Sequence, residues 1–309
     1  MKKKLPVIFI VLIFVVGIAI MSYPVVSSII NNIASRNQAQ IYSETVKSIT
    51  TDEEKELFDQ AKRYNDSLNN NVIITDPFDE EAYEKIGASY DNAFNVDGNG
   101  LIGYVDIPKI NVYLPIYHGT DEHILSKGAG HLQNTSLPVG GTSTHAVISA
   151  HSAYPGETFF DYLTDMQEGD EFYIHVLNRT LKYEVDQIKV VLPENTEDYR
   201  IIPGGDYVTL LTCTPYSINT HRLLVRGVRV EYDDSQTQTL STHLAEFNDE
   251  GIYFLGYKIE YWKAITAMII FVALVVALVA FFLRRSKKNK KKTDILYYTH
   301  DKNNKEDDG

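Results

Sequence analysis

The sequence predicts a mainly β domain, a barrel or a sandwich, preceded by a helical stretch and held between two transmembrane helices. After Asn71 the 309-residue chain breaks into short β-branched and aromatic runs separated by Gly, Pro and Asn, the pattern of many short strands. Before that point apolar residues recur at helical spacing. Near each end lies an apolar run without charge, flanked by basic residues.

The first run falls in the predicted segment 1–26. No charge occurs between Lys4 and Arg36, and Leu5 to Met21 is apolar apart from Pro6 and Gly17. It reads as an uncleaved anchor or a cleaved signal peptide; Ser22-Tyr23-Pro24-Val25-Val26 lacks a small-x-small site, which favours the anchor. The second run, 264–283, carries Thr266 as its one polar residue and matches the roughly 20 residues that cross a hydrocarbon core. Lys2, Lys3 and Lys4 precede the first run, and Arg284, Arg285, Lys287, Lys288, Lys290, Lys291 and Lys292 follow the second. The positive-inside rule then puts both termini in the cytoplasm and everything between outside. The basic tail, 284–309, suits contact with anionic lipid better than nucleic-acid binding.

Residues 27–70 read as helical, a stalk or a docked hairpin, with Thr51 and Glu54 as a capping box and Leu57, Ala61 and Tyr64 at helical spacing. A polar region, 71–95, leads to the β domain, 96–235. Expected strands are Leu101 to Ile107, Ala146 to Ala150, Glu171 to Val176, Thr180 to Val191, Tyr207 to Thr212 and Leu223 to Tyr232. Asp97-Gly98-Asn99-Gly100 lacks the distal Glu of a calcium loop and reads as a tight turn. A linker, 236–263, joins the domain to the second apolar run. Outside the apolar runs and their basic flanks, 16 Lys and Arg face 36 Asp and Glu, a net charge near −20. So acidic a surface argues against polyanionic partners and suits a cationic one.

Cys213 is the only cysteine, which excludes an internal disulfide, a CxxC redox pair and a cysteine-based zinc site. It is therefore a buried, inert thiol or a nucleophile. Thr209-Leu210-Leu211-Thr212-Cys213 ends one expected strand, and Arg222 begins the next nine positions on. A hairpin return brings the two together, and a permanent cation there can stabilise a thiolate or an oxyanion. The proton carrier is expected among nine histidines. His151 closes the run Ala146 to Ala150 just before a loop, where rigid scaffolds present reactive groups. His145 on the same strand is its main rival. His175 sits mid-strand, His221 alternates away from Arg222, and His243 and His300 lie near or beyond the second apolar run.

The run TLLTCTPYSINTHRLLVRG, 209–227, resembles the active-site strand of the sortases, cysteine transpeptidases of Gram-positive cell surfaces, and CTPYxxNTHR is similar to their pilin-polymerising class C branch. SLPVGGTSTHAVISAH, 136–151, resembles that branch's segment ending in the catalytic His. The resemblance spans about Asp76 to Tyr232. It implies a closed β-barrel with short helices, Cys213 as nucleophile, His151 as general acid/base, Arg222 as oxyanion stabiliser, and no metal or organic cofactor. It further implies that Asp76-Pro77-Phe78 is a lid, Asp76 pairing with Arg222 and Phe78 packing over Cys213. One departure is Ala150-His151-Ser152-Ala153 where this branch often has Gly-His-Arg-Gly. The implied partners are secreted proteins with an LPxTG-like motif and a pilin Lys as acceptor. Open alternatives are a sortase that anchors proteins to peptidoglycan, a hydrolytic cysteine peptidase, and a non-enzymatic membrane-anchored adhesin or scaffold.

Overall fold

The structure is a computed structural model that describes residues 41–68, 74–78, 93–96, 98–154 and 157–232, the backbone of 251–254 and 257–260, and scattered positions elsewhere. Eight strands, β1 (Leu101–Ile107), β2 (Val112–His118), β3 (Ala129–His131), β4 (Thr144–Ser149), β5 (Glu171–Val176), β6 (Arg179–Val191), β7 (Asp206–Thr214) and β8 (His221–Val230), close into a barrel in the order β1-β2-β3-β4-β7-β8-β6-β5. The expected strands all form. Their ends move, and β2 and β3 are additions: Pro115 interrupts the β2 pattern, and β3 is three residues long. Pairing is antiparallel except for β2–β3 and β4–β7. The β4-to-β7 connection carries β5 and β6, so sequence-distant β4 and β7 lie side by side.

The principal core is aliphatic and aromatic, with Ile102, Ile116, Ile148, Phe172, Tyr183, Leu210 and Val225 at 0% exposure. Close approach is enforced at Gly227, where an added Cβ would lie 2.5 Å from the Phe172 ring. Nothing larger than glycine fits beneath that aromatic pair.

Two helices, α1 (41–48) and α2 (Thr51–Ser67), occupy the expected helical stretch and lie docked on the barrel. Tyr42 donates its hydroxyl to the Ile102 carbonyl and accepts from Leu177 N–H, each at 2.9 Å. Asn65 on α2 accepts from Leu137 N–H at 2.7 Å and donates to the Leu137 carbonyl at 3.2 Å. The buried backbone of the SLPVGG segment is thus satisfied by a helix side chain. The capping box is Thr50 with Glu53, one residue earlier than expected from Thr51 and Glu54. The doubled Thr-Thr and Glu-Glu pairs allow either register, and packing selects the first.

Chain contacts divide the molecule into residues 26–245, and 1–25 with 246–309. In the second unit the expected linker holds an antiparallel pair, β9 (Gly251–Phe254) with β10 (Tyr257–Glu260). The expected membrane runs, the tail and most of 71–95 lie largely outside the described residues. Among the described residues no helix is long and apolar enough to cross a membrane. Those described within the runs are helical, with Ile13, Val16, Ile20, Ile269, Ile270 and Phe271 exposed.

Candidate active site

Side chains alternate along a strand, so Leu211 and Cys213 of β7 share a face, as do Arg222 and Leu224 of β8. In the β7–β8 ladder Cys213 stands directly opposite Arg222, and Leu211 opposite Leu224. The hairpin return expected from the sequence thus takes the form of a direct ladder pair, with β7 running on to Thr214 and β8 beginning at His221. Leu210, Leu223 and Val225 fill the principal core from the other face. Cys213 and Arg222 therefore project from the barrel's outer face. There Leu132, Val147, Val191, Tyr199, Leu211 and Leu224 form a second, smaller core.

His151 reaches the same place from β4. Ser149 is level with Leu211 in the parallel pair. Beyond it Thr212 donates its hydroxyl to the Ala150 carbonyl, and Ser152 to the Cys213 carbonyl, both at 2.7 Å. His151 thus leaves the sheet beside Cys213, with Arg222 on the opposite flank. Its ring stacks on Tyr154 at 5.1 Å, and its Nε2 lies 3.2 Å from Glu122 Oε2 on the short helix α3 (Glu122–Leu125).

His145 is placed differently. It is 0% exposed, its Nδ1 lies 2.8 Å from the Arg200 carbonyl and its Nε2 2.8 Å from the Thr209 hydroxyl. Burial pushes its pKa down to about 4, so it is neutral: Nδ1–H donates to Arg200 and Nε2 accepts from Thr209. With both nitrogens engaged it is a strut that ties the β6–β7 connection to β4. His175 lies within β5 and His221 at the start of β8, where its Nδ1 meets the Thr220 hydroxyl.

Asp76 grips Arg222 with both carboxylate oxygens, at 2.8 Å to Nε and 2.5 Å to Nη2, and both side chains are about nine-tenths buried. A fork-to-fork pair of this kind fixes position as well as charge. Phe78 stands 5.5 Å from the His151 ring and 5.1 Å from the Arg222 guanidinium carbon. It spans the two groups that flank Cys213, and with Ile74 it packs on the second core. Pro77, buried between them, sets the turn. Cys213 is left 7% exposed. Burial pushes its thiol up to about 11, the nearby Arg222 pulls it down, and the Asp76 carboxylate pushes it up again. Under this cover the thiol is protonated at neutral pH.

The Sortase domain family model matches residues 105–230. Sortase D of Bacillus subtilis (strain 168) is 30% identical over 141 residues, covering 45% of this chain and 68% of that protein. This chain belongs to the sortase family. Sortases are cysteine transpeptidases, so the chain is an enzyme of that class. Among solved structures, sortase C-1 from Streptococcus pneumoniae is similar at 46% identity and a TM-score of 0.59, covering 64% of this chain and 100% of that one. The pilus-related sortase C of Group B Streptococcus is similar at 45% identity and a TM-score of 0.58, covering 63% and 98%. The sortase's structural neighbours are thus class C enzymes.

In this sortase the predicted residues Cys213, His151, Arg222, Asp76 and Phe78 converge on one face. Sequence reading missed Glu122, Tyr154 and Tyr199. Glu122 and Tyr154 sit in loop-like contexts with no periodicity to mark them. Tyr199 lies in the helical turn Glu197–Tyr199, where an aromatic residue reads only as core.

Proposed function

We propose that this sortase is a membrane-anchored pilin polymerase, its catalytic domain outside the cell and both termini in the cytoplasm. The reading rests on Cys213 between His151 and Arg222, beneath the Asp76-Pro77-Phe78 cover. The exposed apolar residues in both end segments, with their basic flanks, support the anchoring.

Once the cover moves, Asp76 releases Arg222 and the Cys213 thiol passes its proton to His151. The sulfur attacks the Thr carbonyl carbon of an LPxTG-like motif, and Arg222 donates to the developing oxyanion. His151 returns the proton to the departing Gly amine, leaving a thioester on Cys213. A pilin Lys amine then attacks the thioester carbon and His151 takes its proton. Collapse expels the Cys213 sulfur, which recovers a proton, and leaves a Thr–Lys isopeptide bond. The acidic outer surface favours approach of a cationic acceptor.

The test is mass spectrometry of the full chain in detergent, wild type, Asp76→Ala and Cys213→Ala, given an LPxTG peptide and then a Lys-bearing pilin fragment. A thioester on Cys213 that moves to the Lys side chain is expected, with none in Cys213→Ala. Absence of any adduct in Asp76→Ala would sink the reading. Transfer to a peptidoglycan amine in preference to Lys would replace the pilin acceptor with the cell wall.

A further inference from the structure

Tyr199 is 1% exposed and belongs to the second core, the face that also carries Cys213 and Arg222. Its hydroxyl is buried and, among the described residues, has no hydrogen-bond partner. A buried donor without a partner is costly, typically about 1–3 kcal/mol, and folded proteins rarely retain one without use for it. Phenylalanine would fill the same volume without that cost. The hydroxyl also stands within electrostatic reach of Asp76, Arg222 and Cys213.

The backbone around Tyr199 is fixed independently of the cover. Its N–H donates to the Thr196 carbonyl at 3.1 Å, and the neighbouring Arg200 carbonyl accepts from His145 at 2.8 Å. Lys189 and Asp198 pair across the same connection at 2.5 Å. Ile74 and Phe78, by contrast, lie over this core as part of the segment that closes it. When that segment leaves, Tyr199 stays in the second core that Ile74 and Phe78 had covered.

We propose that the Tyr199 hydroxyl donates a hydrogen bond to a main-chain carbonyl oxygen of the sorting peptide, making Tyr199 a substrate-binding residue on the wall beside Cys213. A peptide in extended form presents carbonyl acceptors along its length, and entry of one gives the hydroxyl the partner it lacks in the closed state. The inference rests on the transpeptidase reading above.

Initial rates of thioester formation against LPxTG peptide concentration test it, using the full chain in detergent with Asp76→Ala as parent and Asp76→Ala/Tyr199→Phe as variant. The expected result is a fall in kcat/KM of about tenfold, carried mainly by KM, as loss of one substrate hydrogen bond produces. Thermal stability of Tyr199→Phe alone should equal or exceed that of the wild type. Equal kcat/KM in the two chains overturns the proposal while leaving the enzyme reading intact. A marked fall in thermal stability also overturns it, because the hydroxyl would then be satisfied in the resting fold. If the parent forms no thioester, the enzyme reading fails and the proposal with it.

Discussion

At the residue scale, the site is a set of pairings that each answer one physical demand. On the proposed mechanism Cys213 needs a base and an oxyanion donor, and His151, just beyond β4, and Arg222 of β8 lie at its flanks. His151 in turn has a carboxylate at 3.2 Å in Glu122, whose side chain is 53% exposed. A half-exposed ion pair is worth about 0.2–1 kcal/mol and is screened by salt. Glu122→Gln keeps an acceptor and removes the charge, so thioester formation should slow about two- to fivefold at low ionic strength. The difference should fade as salt is added. Equal rates at low salt would show that Glu122 takes no part. His145, within β4, illustrates the opposite outcome: a histidine held neutral by burial and spent on two structural bonds.

At the scale of elements, the segment 74–78 covers the candidate site. It holds on through the Asp76–Arg222 fork and through Ile74 and Phe78 on the second core. Burial raises the Cys213 pKa, and the Asp76 carboxylate of this segment raises it too. A thiol raised from its ordinary value near 9 to about 11 favours the closed form at lower pH, and that preference is lost as pH rises through this window. Asp76→Ala and Phe78→Ala should therefore speed alkylation of Cys213 by a small neutral reagent at pH 7. Each unit by which the pKa falls gives about tenfold more thiolate. The rate-against-pH curve should also move toward pH 9. A curve that coincides with that of the wild type would remove the cover from the account.

At the scale of the whole molecule, stability depends on keeping two buried histidines neutral. Burial pushes His131 down to about 3 and His145 to about 4. The unfolded chain protonates them near 6.5, so between that value and about 4 the unfolded state holds more protons. Stability present above 6.5 should be lost as the pH falls, with His145 alone accounting for about 3 kcal/mol. The urea midpoint of the full chain, measured from pH 7 to pH 4, should drop across that range. A flat profile would mean that these rings are solvated or already charged in the folded state.

The sequence by itself determined what is local or periodic. Short β-branched and aromatic runs marked six of the eight barrel strands, and the lone cysteine, with an arginine at the start of the next strand, picked out a candidate pair. Residues 209–227 and 136–151 carried the family likeness, and Asp76-Pro77-Phe78 stood out as a separate triplet. Where two registers were locally equivalent, as in the Thr50-Thr51 cap, the sequence reading took Thr51 and the fold takes Thr50, because nothing local breaks the tie. The tertiary structure decided what each histidine meets: His145 is buried between the Arg200 carbonyl and the Thr209 hydroxyl, whereas His151 stacks on Tyr154 beside Glu122. It also decided which face of β7 carries Cys213. Cys213 lies on the face of the second core, where a connection some fifteen residues upstream and a segment from before the barrel also pack. Glu122 meets His151, and Tyr199 joins the second core, through the fold. Their positions follow from barrel closure and from the parallel pairing of β4 with β7, and no spacing along the chain encodes either.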